Sequence, residues 1–253
     1  MGKDAELRVK RTLQAFFPLY ILMSKLLLPL CIVMAIGLAC GKSDSANVPV
    51  PSSYKHMLAL GDSYTIGESV PTAERFSIQT VQQLMADSIY FDGPEIIAQT
   101  GWTTGNLLNR LATAPPQRST YDAVTLLIGV NNQFQRRSQN EYRTEFTDLL
   151  QQAIRYADNR PARVTVISIP DWGVTPFANG YNRALIAAEI DSFNRINQSV
   201  TASLGSNYVN ITPISRQAAT DGSLLAPDSL HPSGRMYQLW AEQIRPVIRA
   251  SLQ

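Results

Sequence analysis

Short, continuously apolar segments that end at glycine or proline recur along this chain and constrain its fold more than any other feature. The clearest are MLAL before Gly61, AVTLLI before Gly129 and VTVISI before Pro170. Continuous apolar runs, as opposed to alternating ones, are typical of β-strands that are covered on both faces. A further segment at residues 95–99 and a weaker one at residues 208–211 bring the number of predicted strands to about five.

Amphipathic helical patterns separate the predicted strands. Apolar side chains recur at spacings of three and four, so that they share one helix face, and we interpret all of these stripes as core. The stripes are Ile78, Val81, Leu84 and Met85; Tyr142, Phe146, Leu149, Leu150 and Ala153; Ile186, Ile190, Phe193, Val200 and Leu204; and Met236, Leu239, Trp240, Ile244 and Ile248. The alternation predicts an α/β fold with a parallel sheet, right-handed crossovers and helices on both faces. In such a sheet, ligands bind at the carboxyl ends of the strands.

Residues 1–40 do not fit this pattern and are interpreted as an export signal. Residues 26–39 (LLLPLCIVMAIGLA) are almost wholly apolar, with a lysine before them and Cys40 after them. About 14 apolar residues are too few for a membrane-spanning helix, which needs about 20, and are typical of a signal peptide. Because the MSK that starts at Met23 would make a short, basic beginning for such a peptide, translation is predicted to start there. The alternative is an uncleaved membrane anchor over residues 16–39.

The junction at Cys40 resembles a bacterial lipoprotein signal, because small residues precede the cysteine and a polar stretch follows it. This resemblance implies cleavage before Cys40, a lipid on that cysteine, and anchoring to the bacterial cell envelope, in the periplasm or at the outer membrane. Residues 41–54 are then a polar linker, and residues 55–253 are the exported domain. The other cysteine, Cys31, lies inside the signal, so the exported domain contains no cysteine pair.

Charge and composition exclude several classes of protein. The chain carries 22 basic and 20 acidic residues, which argues against a nucleic-acid binder with a broad basic face. Two cysteines and two histidines are too few for a zinc finger or a Cys/His metal cage. The motifs G-x-S-x-G, G-x-G-x-x-G and H-E-x-x-H and the P-loop are absent from the sequence. Their absence removes support for a nucleophile-elbow hydrolase, a dinucleotide enzyme, a zincin and a P-loop nucleotidase.

Candidate catalytic residues occur in two segments, one after the first predicted strand and one after the last. GDSY, with Ser63, comes directly after the first strand, and DSLH, with Asp228 and His231, lies between the last strand and the final helix. A serine nucleophile needs a base, and the base needs an orienting carboxylate, which Asp228 could supply within one turn of His231. The other histidine, His56, precedes the first strand and therefore lies at the wrong end of the sheet. The alternatives are that Ser63 only caps a helix and that His231 is a solvated surface residue.

Two further residues follow strands at the same edge of the sheet. Gly101 comes after the second strand and Asn131 after the third. The backbone N–H groups of Ser63 and Gly101 and the side-chain amide of Asn131 are candidate donors to a developing oxyanion. The alternative for Asn131 is a turn residue that accepts a left-handed backbone.

Together these four blocks, in this order, resemble the SGNH or GDSL-type hydrolase family over residues 55–252. The resemblance implies a three-layer α/β/α sandwich, flavodoxin-like, with about five parallel strands, and no metal or organic cofactor. Two positions depart from the family pattern. Tyr64 stands where the family has leucine, and Asn132 stands where it often has aspartate. Neither position is a catalytic group, so the departures concern the choice of substrate more than the activity.

The resemblance also implies the reaction and the roles. The protein is expected to be a serine esterase that hydrolyses carboxylic (acyl) esters through an acyl-enzyme intermediate. Ser63 is then the nucleophile, His231 the base and Asp228 the residue that orients it, while Ser63, Gly101 and Asn131 form the oxyanion hole. The expected substrates are short or medium acyl esters or lysolipids, and no nucleic acid is expected as a partner.

The loops at the rim of the sheet are predicted to select the substrate. Trp102, Trp172 and Phe177 either line an acyl pocket there or only pack the loops. Two other functions stay open. One is a carbohydrate O-acetylesterase of the same fold, which an open polar cleft beside Ser63 would indicate. The other is a non-catalytic lipoprotein binding module, against which the intact catalytic residues argue. The sequence does not indicate an oligomeric state.

Overall fold

The computed structural model describes residues 53–253, and five segments of this part form one parallel sheet. The strands are β1 (Met57–Gly61), β2 (Glu95–Ala98), β3 (Ala123–Leu127), β4 (Val164–Ile167) and β5 (Asn207–Val209). Their spatial order is β2-β1-β3-β4-β5, so β2 lies on one side of β1 and the later strands lie on the other. This is the doubly wound, flavodoxin-like order, and the predicted parallel α/β sheet is confirmed.

The predicted export signal, with Cys40, lies outside the described residues, as does all of the predicted linker except its last two residues. Export, lipid attachment and the domain boundary at residue 55 therefore stay predictions. Within residues 53–253, no helix is both long enough and apolar enough to cross a membrane.

The central strands are buried along their whole length. Every residue of β1, β3 and β4 is buried, as their continuous apolar composition predicts. Leu58 of β1 is paired with Glu95 of β2 on one side and with Val124 of β3 on the other. Since all pairs are parallel, the carboxyl ends of the strands lie along one edge.

Strands β4 and β5 end two residues earlier than predicted, because side chains replace the ladder of backbone hydrogen bonds. The N–H of Ile169 donates to Oδ1 of Asn194 at 2.8 Å, and the N–H of Ile211 donates to Oγ of Ser168 at 2.8 Å. Apolar composition alone does not reveal this exchange of partners, since Ile169 and Ile211 are both buried.

Eight α-helices flank the sheet in the described part of the chain. They are α1 (Ser63–Ile66), α2 (Phe76–Met85), α3 (Thr104–Thr113), α4 (Val130–Phe134), α5 (Gln139–Tyr156), α6 (Arg183–Ser203), α7 (Thr212–Arg216) and α8 (Gly234–Ser251). Helix α2 packs on α8, while α5 packs on both α3 and α6. The two groups form the outer layers of a three-layer α/β/α sandwich, as the family resemblance implies.

The buried face of α2 differs from the predicted one. Phe76, Thr80 and Leu84 are completely buried, whereas Ile78 is half-buried and the side chain of Met85 is 47% exposed. The prediction that Met85 belongs to the core is wrong, because the helix turns its Phe76–Thr80 side toward α8.

Helix α3 was not predicted from the apolar pattern. It begins with a capping box, in which the hydroxyl of Thr103 accepts from the N–H of Asn106 and the side chain of Asn106 accepts from the N–H of Thr103. Leu107 and Leu111 lie four residues apart and are buried against the core. The spacing of the two leucines was visible in the sequence, whereas the capping box has asparagine in place of the usual glutamate or glutamine.

Candidate active site

The nucleophile candidate Ser63 is the first residue of α1, directly after β1. The turn depends on Gly61, where a Cβ atom would lie only 2.3 Å from the carbonyl oxygen of Leu127 in the neighbouring strand. Asp62 caps the helix: its Oδ1 accepts from the N–H of Tyr64 at 3.1 Å. Its carbonyl oxygen accepts from the next two N–H groups of the turn. The N–H of Ser63 does not take part in these hydrogen bonds to Asp62. The residue is 5% exposed.

Asp62 itself is completely buried. Burial raises the pKa of its carboxyl group to about 7, although the N–H groups of Tyr64 and Gly129 oppose the shift. Its Oδ2 has no hydrogen-bond partner among the described residues. Asp62 therefore shapes the turn from the interior of the protein and does not line the cavity.

The loop before α8 brings Asp228 and His231 together. Nδ1 of His231 lies 2.7 Å from Oδ2 of Asp228. The other carboxylate oxygen of Asp228 accepts from the N–H groups of Leu230 and His231, both at 2.9 Å. These bonds hold the carboxylate and the ring in one orientation, within the single turn that their spacing of three residues predicts.

Ser69 binds the same carboxylate from a different part of the chain. Its hydroxyl donates to Oδ2 of Asp228 at 2.6 Å, and its backbone has a φ of 64°, in the left-handed region. Partial burial opposes ionisation of Asp228, but hydrogen bonds from Ser69 and His231 outweigh it and lower its pKa to about 2. Sequence analysis missed Ser69, because 159 residues separate it from Asp228 and no local pattern marks it.

We expect Ser69→Ala to raise the pKa of Asp228 and to lower kcat roughly three- to tenfold. A hydrogen bond to a charged group contributes about 1.5–3 kcal/mol, and solvent screening at this partly exposed site lowers that to about 1 kcal/mol, which corresponds to about fivefold. Carboxyl carbon NMR would follow the titration of Asp228. Ser69→Gly is the control, since it also removes the hydroxyl but accepts the left-handed backbone, so it should shift the pKa equally with less loss of stability. An unchanged titration in both variants would contradict the role of Ser69.

Gly101 and Asn131 lie at the ends of the two strands that flank β1. Gly101 follows β2 and has a φ of 84°, which glycine adopts without strain. Asn131 is the second residue of α4, after β3, and its Nδ2 donates to the carbonyl oxygen of Trp102 at 3.0 Å. One amide hydrogen is thus used to fix the side chain, and the second is free for another acceptor.

Asn132 has a structural role and does not line the cavity. It is buried, its Oδ1 accepts from the N–H of Thr104 at 3.0 Å, and its Nδ2 donates to the Thr104 hydroxyl at 2.6 Å. An aspartate could accept the first bond but could not donate the second. The expectation that Asn132 concerns the choice of substrate is therefore corrected: it ties α4 to the start of α3.

Four of the five candidate catalytic and oxyanion residues, all except Asp228, line one cavity of about 140 Å³. Ser63, Gly101, Asn131 and His231 all contribute to its wall. The rest of the wall is mainly apolar and comprises Tyr64, Val130, Phe134, Trp172, Phe177 and Leu230, with Thr100 as a polar member. Sequence analysis identified Trp172 and Phe177 as candidate pocket residues, but it missed Phe134 and Leu230. Phe134 lies three residues after Asn131, and Leu230 lies directly before His231.

Trp102 is not part of this wall. Its side chain packs against the hydrophobic core, and its backbone carbonyl holds the amide of Asn131. The prediction that Trp102 lines the acyl pocket is thus corrected, because adjacency to Gly101 did not specify on which side of the loop the indole lies. Tyr64, in contrast, lines the cavity and packs its ring 5.2 Å from the ring of His231.

His56 lies at the amino end of β1, as expected. Its Nδ1 is 2.6 Å from Oδ2 of Asp92, and it does not line the cavity. Within residues 53–253, no group of three or more His, Cys, Asp or Glu side chains is arranged to hold a metal ion.

A model of the GDSL-like lipase/acylhydrolase family matches residues 59–239, a range that includes all four blocks of the site. The chain belongs to this family. It is therefore a carboxylic-ester hydrolase, and both the predicted family and the predicted enzyme class are confirmed. No curated protein matches the chain significantly in sequence.

Solved structures similar to this GDSL-like hydrolase include TesA, EstA and Axe2. TesA has a TM-score of 0.60 and 18% identity, over 78% of this chain and 100% of its own. The psychrotrophic esterase EstA from Pseudoalteromonas sp., in a structure inhibited by monoethylphosphonate, has a TM-score of 0.58 and 18% identity, over 78% and 98%. The acetylxylan esterase Axe2 from Geobacillus stearothermophilus has a TM-score of 0.59 and 16% identity, over 78% and 94%. At these identities the likeness shows the shared fold.

Proposed function

We propose that this hydrolase cleaves esters of short or medium acyl chains, or lysolipids, through an acyl-enzyme intermediate on Ser63. Oγ of Ser63 attacks the ester carbonyl carbon while Nε2 of His231 takes the hydroxyl proton. His231 then gives this proton to the leaving alcohol oxygen. A water molecule attacks the acyl-enzyme, His231 takes a proton from it, and the carboxylic acid leaves as Ser63 regains its proton.

Asp228 supports this cycle through its bond to the ring of His231. With the carboxylate 2.7 Å from Nδ1, that nitrogen carries the ring's proton and Nε2 is left as the base. When the ring becomes positively charged, the neighbouring carboxylate stabilises it. A pKa of about 2 keeps Asp228 ionised over the whole range in which an esterase works.

The oxyanion is proposed to be stabilised by three donors on the cavity wall. These are the N–H groups of Ser63 and Gly101 and the amide of Asn131. Such donors act mainly when the carbonyl oxygen gains charge in the tetrahedral intermediate. The bond from Asn131 to the carbonyl of Trp102 fixes the donor before the substrate binds.

The observation that carries the proposal is the cavity itself, which joins Ser63 and the Asp228–His231 pair to an apolar wall. An apolar wall suits an acyl chain, whereas a sugar would need polar partners beside the nucleophile. Its volume of about 140 Å³ is below the roughly 300–1,000 Å³ of sites for drug-sized ligands, so the part of the acyl chain nearest the ester must be small there. This wall therefore favours acyl esters over the carbohydrate O-acetylesterase alternative.

A p-nitrophenyl ester panel of increasing acyl length, run on the purified protein, tests the proposal. We expect hydrolysis of the esters and stoichiometric labelling of Ser63 by a fluorophosphonate, located by peptide mass spectrometry. Acetylated xylo-oligosaccharides form the comparison arm. Turnover of the acetylated sugars with none of the acyl panel would establish the carbohydrate alternative. An intact, folded protein that neither hydrolyses any ester nor takes up the probe would be the binding module.

A further inference from the structure

A second, larger cavity adjoins the active-site cavity. Its volume is about 530 Å³, and Phe134 and Trp172 line both cavities, so the two cavities meet at these side chains. The far side is formed by Tyr181 and by Leu185 and Ile186 in the first turn of α6. We call this second cavity the side groove.

The side groove is bordered by exposed apolar side chains. Phe134, Phe177, Tyr181 and Leu185 are 45%, 44%, 52% and 53% exposed. They account for four of the six large apolar side chains that are exposed in residues 53–253. The rings also touch one another: Trp172 lies 5.3 Å from Tyr181 and 5.4 Å from Phe134. A concentration of exposed apolar surface beside a reaction centre indicates a binding surface, since single exposed apolar residues are normally scattered.

Two of the polar side chains that line the side groove, Gln133 and Glu189, are paired with each other. Oε1 of Gln133 accepts from the indole N–H of Trp172 at 2.8 Å, and Nε2 of Gln133 donates to Glu189 at 2.7 Å. Gln133 is 5% exposed, so these bonds fix the orientation of the Trp172 indole at the border of the two cavities. Arg136 and Asn182 also line the groove, and Arg136 forms no ion pair within residues 53–253. The groove therefore offers a ligand an apolar wall with one cationic side chain at it.

The position of His231 decides which arm of an ester points toward the side groove. His231 returns its proton to the alcohol oxygen, so the alcohol part must leave past the loop that carries His231. Leu230 and His231 line the active-site cavity, but no residue of that loop lines the side groove. Its wall comes instead from α4, the helix of Asn131, and from the start of α6.

We propose that the side groove binds the distal methylene groups of the substrate's acyl chain, which selects esters of unbranched acyl chains longer than acetyl. This inference rests on the proposed esterase function. The carbonyl and first carbons occupy the small cavity at Ser63, and the chain continues past Phe134 and Trp172 to Tyr181 and Leu185. Each methylene group that is buried contributes about 0.8 kcal/mol, so kcat/KM should rise up to about fourfold per added methylene until the groove is filled.

Leu185→Asp tests the inference with Met85→Asp as its matched control. Both leucine and methionine are about half exposed on helices, but Met85 lies on α2, away from the groove. Aspartate in the first turn of α6 favours the helix, so the Leu185 variant should fold. We expect Leu185→Asp to lower kcat/KM for p-nitrophenyl octanoate at least tenfold, mainly through KM, and to leave the acetate ester within twofold of wild type. Met85→Asp should leave kcat/KM of the folded fraction unchanged for both substrates, although aspartate at the last residue of α2 opposes the helix dipole and should lower the thermal midpoint.

Several outcomes would overturn the inference while leaving the esterase intact. One is equal loss on octanoate in both variants. Another is a wild-type panel that shows no gain beyond acetate. A third is a loss confined to acetate esters of long-chain alcohols, which would assign the groove to the alcohol arm. Failure of the proposed function is distinguishable, because wild type would then neither hydrolyse acetate nor be labelled at Ser63.

Discussion

Ser63→Ala and His231→Ala are each expected to lower kcat by about 10⁴–10⁶, and the double variant is expected to fall little further. Nucleophile and base act as one unit, so removing either abolishes the same pathway, and the residual rate comes from binding and the oxyanion donors. Ser63→Ala keeps the Cβ atom of a residue that is 5% exposed, so the fold should be retained. Kinetics on one p-nitrophenyl ester and a thermal midpoint for each variant measure the effect.

Ser77→Ala is the matched control for Ser63→Ala. Ser77 is also buried, but it lies on α2 and does not line the cavity. Near-normal kcat is expected for Ser77→Ala, with fluorophosphonate labelling confined to Ser63. Labelling that persists in Ser63→Ala, or an additive loss in the double variant, would refute the nucleophile–base assignment.

The second large effect is expected at Asn131. Asn131→Ala should lower kcat by about 10²–10³ with little change in KM, because an oxyanion donor acts in the transition state and not in the ground state. The bond of Asn131 to the carbonyl of Trp102 also allows a purely structural role. A thermal midpoint must therefore be measured with the kinetics.

Asn132→Ala separates the two roles. Asn132 is the neighbouring amide, it is buried, and it binds Thr104 instead of lining the cavity. Its loss should lower the thermal midpoint and leave kcat of the folded fraction near normal. If Asn131→Ala behaves in the same way as Asn132→Ala, the oxyanion role is wrong.

The architecture was predictable because the central strands are buried on both faces and are therefore apolar throughout. The strand ends were not, since the bonds of Asn194 to Ile169 and of Ser168 to Ile211 are long-range contacts without a local pattern. The orientation of α2 was misjudged at Met85 for a similar reason. Four apolar residues gave a plausible stripe, but packing on α8 selected the face with Phe76.

In the candidate site, a contact between residues close in sequence could be predicted from their spacing, whereas a contact between residues far apart in sequence could not. Asp228 and His231 are three residues apart, so their contact follows from one turn of chain. Ser69 reaches the same carboxylate only through the tertiary fold. Trp102 shows the converse error: its neighbour Gly101 is in the cavity wall, yet the indole packs on the core. The side groove was invisible because α4 and α6 are far apart in sequence.

The buried carboxyl group of Asp62 links the stability of this enzyme to the acid that it produces. Its pKa is about 7 in the folded protein against 3.8 as the ordinary value, so between these pH values the folded state holds a proton that the unfolded chain releases. The free energy of unfolding must therefore decrease as pH rises through this window. Urea titrations at several pH values would show this slope, and Asp62→Asn, which keeps a capping side chain, should flatten it. Since ester hydrolysis releases a carboxylic acid, a weakly buffered reaction mixture drifts toward the pH at which this contribution favours the folded enzyme.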